Sequence, residues 1–128
     1  MGDYLKAEGL MQRAVRIRIK VLGHEHHDTL TSMNNLALTY RNQGRWKEAE
    51  KLQVQVMETR RSVLGEEHPS TLASMDNLAF IWKDQKRWDD VTQLLQDCAR
   101  RRKKVLGINH PDAVASASAL LKWKLDFT

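Results

Sequence analysis

Residues 63–72 read Val63-Leu64-Gly65-Glu66-Glu67-His68-Pro69-Ser70-Thr71-Leu72, and much of this wording recurs at a fixed distance. Val-Leu-Gly stands again at Val21-Leu22-Gly23 and at Val105-Leu106-Gly107, a step of 42 residues each way. Sliding the chain by that step puts His26, His68 and His110 in one column. Leu30, Leu72 and Val114 share a second, and Leu36, Leu78 and Leu120 a third. Arg45-Trp46 falls on Arg87-Trp88, Gly2 and Tyr4 fall on Gly44 and Trp46, and Arg18, Arg60 and Arg102 coincide. Five of the six glycines stand in just two columns, so glycine marks repeat boundaries here. Self-similarity at a period of a few tens of residues is the mark of stacked repeats.

Within one period the apolar spacing changes phase once, which divides the repeat into two helices. Leu30, Met33, Leu36, Ala37 and Tyr40 follow helical spacing and leave Asn34, Arg41 and Asn42 on another face. Gly44 can take the left-handed conformation that closes this first helix. Trp46, Ala49, Leu52, Val56 and Val63 mark the second stripe. Glu48 and Glu50 lie near its start and Arg60 and Arg61 near its end, as the helix dipole prefers. Pro69 and Pro111 suit a first helical position, where a missing N–H costs nothing. Asp28, Ser70, Asp112, Thr29 and Thr71 are expected to supply oxygens to first-turn amides. The reading predicts six helices, over roughly 3–22, 28–43, 45–64, 70–85, 87–106 and 112–126. Alanines 7, 37, 49 and 79 let paired helices approach, with Trp46 and Trp88 filling the space beside them. The fold class is therefore all-α, a right-handed superhelical solenoid of helix–turn–helix units. The division is a half repeat over 1–23, full repeats over 24–65 and 66–107, and a terminal half repeat over 108–128.

Composition narrows the function. The 128 residues carry 21 Lys+Arg against 16 Asp+Glu, a net charge of +5, with 41% hydrophobic and 29% charged residues. That is globular or helical-repeat composition rather than disorder. A single cysteine forbids an intrachain disulfide framework and makes a reducing, cytoplasmic compartment the expectation. No apolar run approaches the roughly 20 residues that span a bilayer. Gly-x-Ser-x-Gly, a Walker phosphate loop and Gly-x-Gly-x-x-Gly are all absent, and no cofactor or enzymatic role is expected.

The wording Leu-Gly-x-x-His-Pro-x-Thr-Leu, then Asn-Leu-Ala, then Gln-Gly-Arg-Trp-x-Glu-Ala-Glu, resembles the 42-residue tetratricopeptide repeats of kinesin light chains. It is carried by Leu64-Gly65, His68-Pro69, Asn35-Leu36-Ala37, Asn77-Leu78-Ala79 and Gly44-Arg45-Trp46-Lys47-Glu48-Ala49-Glu50. It is most similar to the arrays at the C-terminus of fungal NOD-like receptor proteins, which carry an NB-ARC nucleotide-binding domain. Departures are His27 for the expected proline, Lys86 for the turn glycine and Val91 for a small alanine. The resemblance implies a scaffold that binds a protein or peptide in a concave groove lined by the first helices. Register places Thr31, Asn34, Asn35, Leu38, Arg41 and Asn42 there, followed by Ala73, Asp76, Asn77, Phe80, Lys83 and Asp84. The last repeat offers Ala115, Ser118 and Lys122. An asparagine amide both donates and accepts, so Asn35 and Asn77 could clamp an extended backbone, or else satisfy groups between helices. Arg41, Lys83 and Lys122 could grip carboxylates, with Asp76 and Asp84 diluting that field.

Other readings are weighed against these. His24-Glu25-His26-His27-Asp28 contains metal-ligating types but lacks the zincin spacing, and His26 recurs as a turn residue, so no metal site is expected. Cys98 shares a column with Val56 and Ala14 and reads as packing. The run Arg100-Arg101-Arg102-Lys103-Lys104 makes a nucleic-acid module the weaker alternative to a scaffold, since it occupies a helix end and lacks aromatic neighbours. Leu10, Val15 and Ile17 at one end, and Leu121, Trp123, Leu125 and Phe127 at the other, are expected to lack cover. Two expectations follow: the chain is an excerpt of a longer array, or it buries those ends by self-association.

Overall fold

The computed structural model describes residues 2–106, with side chains described over 6–104. It contains α1 (Gly2–Leu22), α2 (His27–Asn42), α3 (Trp46–Leu64), α4 (Pro69–Asp84) and α5 (Trp88–Leu106). The chain is all-α over these residues, and each helix packs chiefly on the helices before and after it in sequence. That is the arrangement of a solenoid. The expected helix over 112–126 lies outside the described residues, as do Trp123 and the apolar residues near the chain's end.

The turns explain where the helices start. His26 and His68 are the N-caps of α2 and α4, each in extended backbone with its Nδ1 accepting from the amide two residues on. The distances are 3.1 Å to the Asp28 amide and 3.0 Å to the Ser70 amide. This corrects the expectation that Asp28, Ser70 and the threonines cap these helices. Those residues already stand in the first turn, where the backbone N–H is the group to be satisfied. Thr71 instead donates to the Gly65 carbonyl at 2.8 Å and fastens the turn, with Pro69 at the first helical position. Gly44 closes α2 at φ +76°; at the corresponding place after α4, Lys86 is held at φ +60°. A side chain there costs roughly 1 kcal/mol that glycine does not incur.

No single centre gathers the core. Leu30, Met33, Leu36 and Tyr40 of α2 pack with Val15, Ala49, Val56 and Ile81. Met57, Leu72, Met75, Leu78 and Cys98 form the next cluster, and Ala79, Val91 and Leu95 a third. Ala37, Ala49 and Ala79 are fully buried, so the small columns do bring helices close. Trp46 and Val63 are corrections, at 39% and 47% exposed. Each lies at an end of α3, beyond the stretch that neighbouring helices cover. Val15, expected to lack cover, is buried against α2, whereas Leu10 and Ile17 are exposed.

One core position breaks its column. Gln53 is fully buried, and neither amide atom has a hydrogen-bond partner in the protein. The same column holds Met11 and Leu95. A buried amide without partners costs about 1–3 kcal/mol. Gln53→Met is therefore expected to stabilise the chain by about 1 kcal/mol. Urea unfolding checks this: the midpoint should rise at unchanged slope.

Candidate peptide-binding groove

The first helices α2 and α4 are joined directly along one seam. Asn77 Nδ2 donates to Asn34 Oδ1 at 2.9 Å. Further along, Arg41 Nε donates to Asp84 Oδ2 at 2.6 Å and Nη2 to Oδ1 at 3.4 Å. The Arg41 guanidinium also lies over the Phe80 ring, 5.4 Å from its centroid. Both polar links join residues 43 apart, one more than the repeat. Leu38 and Phe80 share a column that falls between the two links. Leu38 is half-buried, and Phe80 is 40% exposed.

Of the expected groove residues, the structure thus brings together Asn34, Asn77, Phe80, Arg41 and Asp84. Asn35 and Asn42 are exposed on α2, and Lys83 is half-buried on α4. Asp76 is held toward α5, where it pairs with Arg102 at 2.6 Å. It also accepts from Cys98 Sγ at 3.4 Å. Burial first, and then the Asp76 charge, push this thiol up to about 12, so Cys98 stays protonated and inert. Lys122 lies outside the described residues.

Successive repeats are fastened by contacts that column reading alone did not reveal. Glu50 of α3 accepts from Trp82 Nε1 at 2.8 Å, Arg87 Nη1 at 2.7 Å and Gln85 Nε2 at 3.4 Å, all from the next repeat. Arg87 lies 4.7 Å from the Trp82 ring centroid and also donates to Asp90 at 2.9 Å. The previous repeat repeats the device: Glu8 accepts from Arg45 and, at 3.4 Å, from Gln43. Arg45 there lies 4.3 Å from the Tyr40 ring centroid. At the far ends of the same second helices, Arg18 donates to Ser32 Oγ, and Arg60 donates to Ser74 Oγ at 2.7 Å and the Ser70 carbonyl at 3.2 Å. The recurring columns Glu8/Glu50, Arg45/Arg87 and Ser32/Ser74 were the available signal.

Four of the five cations in the basic run of α5 are paired inside the fold. Arg100 pairs with Asp97, and Arg101 with Asp97 and Glu66, the latter at 3.2 Å. Arg102 pairs with Asp76, and Lys104 with Glu67 at 2.9 Å. Among the described residues no group of three or more His, Cys, Asp or Glu side chains is placed to hold a metal ion. Among them, too, no helix is long and apolar enough to cross a membrane.

Burial alone would push the Glu50 carboxyl up, but bonds from Trp82, Arg87 and Gln85 outweigh it and hold the group below its ordinary range. A carboxyl lowered by folding stabilises the native state at neutral pH, and that contribution is lost as pH falls through the carboxylate range. Stability is expected to decline between about pH 5 and pH 3, as for ordinary carboxylates. Glu50→Gln should be less stable at pH 7 and show a flatter decline, read from urea midpoints across that range.

Comparison with known proteins gives a consistent result. The family model described as Tetratricopeptide repeat matches residues 1–28, 29–70 and 71–112. No curated protein matches the chain. A solved structure from Podosopora anserina, described as a kinesin light chain with nearly identical TPR-like repeats, superposes with a TM-score of 0.81 at 32% identity. It covers 95% of this chain and 58% of that one. A substituted form of the same protein agrees, at 0.81 and 32%, covering 95% and 57%. BtubC (BKLC) from P. vanneervenii shares the fold at 19% identity, TM-score 0.79, covering 98% of this chain and 52% of that one. The chain thus spans under three-fifths of the length of each of these structures.

Proposed function

The chain belongs to the tetratricopeptide repeat family, and from that premise we propose that it is a non-enzymatic scaffold holding a protein or peptide against the first-helix seam. The carrying observation is the arrangement along that seam. An amide pair, Asn34–Asn77, and an ion pair, Arg41–Asp84, flank the half-buried Leu38 and the exposed Phe80. Asn35 presents a free-standing polar surface nearby in sequence, exposed on the same helix. Because Asp84 already neutralises Arg41, the ligand is held by amide and apolar contact more than by its carboxylates. A cytoplasmic location belongs to this reading, supported by the lone cysteine, which is buried.

The wording of the repeat supports a parent protein of NOD-like receptor type, with this array as its ligand-sensing or assembly part. A kinesin-light-chain-like cargo adaptor is the second reading, favoured by the Podosopora anserina neighbour. An upstream NB-ARC domain in the parent gene would support the first, and heptad coiled coil the second. The pairing of Arg100, Arg101, Arg102 and Lys104 within the fold argues against nucleic acid as the partner.

The groove reading is tested with Asn35→Ala combined with Asn77→Ala, and separately with Phe80→Ala. Quantitative capture from a native lysate should lose its partner with either variant, while circular dichroism stays unchanged. Unchanged capture by both variants would show that the seam is not the binding site.

A further inference from the structure

We propose that Asp84 decides the charge of what the groove accepts, by turning Arg41 into a hydrogen-bond donor without free charge. This rests on the groove reading and narrows its ligand to an uncharged, extended segment of a partner protein. Arg41 reaches across from α2, and Asp84, the last residue of α4, accepts from its Nε at 2.6 Å and its Nη2 at 3.4 Å. This two-point bond holds the guanidinium over Phe80, 5.4 Å from the ring centroid. The remaining nitrogen, Nη1, makes no bond among the described residues and is open to solvent. Both α2 and α4 have a helix packed on either side, so this corner belongs to no open end of the array.

Nη1 carries two N–H groups, and the plane of the guanidinium fixes their direction once Asp84 and Phe80 hold it. A backbone carbonyl or side-chain amide oxygen, which bears no net charge, can accept from them. A carboxylate gains less, because the attraction Arg41 offers it is opposed by Asp84 at nearly the same distance. Beside these donors, the exposed part of Phe80 and the half-buried Leu38 suit an apolar side chain. An extended chain presents a carbonyl and a side chain to such a corner within one or two residues. Stability is the smaller effect of the ion pair: its members are 29% and 27% exposed, and pairs so open add little. Nor does the helix end call for a carboxylate, since Asn42 holds the same place at the end of α2.

The test immobilises the full chain, selects peptides from a random displayed library, and keeps those whose binding Phe80→Ala abolishes. Each is remade with Glu and with Gln at every position in turn, and affinities are read by fluorescence anisotropy. On the wild-type chain no Glu form should bind better than its Gln counterpart. On Asp84→Asn, at least one position should favour Glu about fivefold, the equivalent of about 1 kcal/mol. Adding Arg41→Gln to that variant should erase the preference, because Asp84 acts through Arg41, and Asp84→Glu should keep the wild-type pattern. Arg41→Gln alone leaves Asp84 bare and should disfavour Glu by a similar factor, which reads the same balance without Asp84→Asn. A Glu preference on the wild-type chain, or none gained in Asp84→Asn, would overturn the inference and leave the groove reading standing. A preference that survives in the double variant would overturn it in favour of another cation such as Lys83. If no peptide depends on Phe80, the groove reading fails and this inference fails with it.

Discussion

A carboxylate held between two repeats is the contact on which the shape of this chain depends. Apolar clusters such as Leu72, Met75, Leu78 and Met57 supply attraction without direction, and small columns such as Ala37 and Ala79 permit close approach over a range of angles. Direction comes from Glu50, which meets an indole, a guanidinium and an amide of the next repeat. At the other end of α3, Arg60 reaches Ser74 and a backbone carbonyl. Two attachments near opposite ends of one helix remove its freedom to pivot on its neighbour. In a solenoid, where each unit touches only adjacent units, such nearest-neighbour terms determine curvature. Thr92 stands in the column of Glu8 and Glu50, so α5 lacks the carboxylate with which this attachment is made.

The period of 42 made most of the helices legible, because glycine, proline and histidine recur at the turns. Helix limits such as Trp46–Leu64 and Pro69–Asp84 lie within about a residue of the expected ones. What periodicity could not convey was contact between repeats. Asn34 meets Asn77 and Arg41 meets Asp84 at a separation of 43, a stagger of the packed helices rather than a property of the repeat unit. Column reading pairs Asn35 with Asn77 instead, and so gave equal weight to two asparagines that the fold treats differently. The histidine caps were hidden for another reason: an imidazole nitrogen can occupy the role usually filled by a hydroxyl or carboxylate oxygen.

The seam also shows why charged residues counted along a helix misstate the field of a groove. Arg41 would read as a carboxylate grip, yet its two donors meet Asp84 and its face meets Phe80. Asp76 would read as a groove acid, yet Arg102 neutralises it from α5. With both compensated, the seam presents side-chain amides and an exposed ring rather than free charge. An extended backbone suits amides, and an apolar side chain suits Phe80.

Net charge follows the same logic. The chain carries +5, but four of the five cations in the basic run of α5 are matched by Asp97, Glu66, Asp76 and Glu67, and the turn arginines are matched by Glu8, Glu48, Glu50 and Asp90. Arg13, Arg16 and Lys20 of α1 are exposed without such matches. Uncompensated charge acts at longer range than paired charge and biases which partners arrive, whereas a paired cation offers a ligand only what remains after its own counter-ion. A run of arginines is therefore a poor guide to where this protein attracts acid.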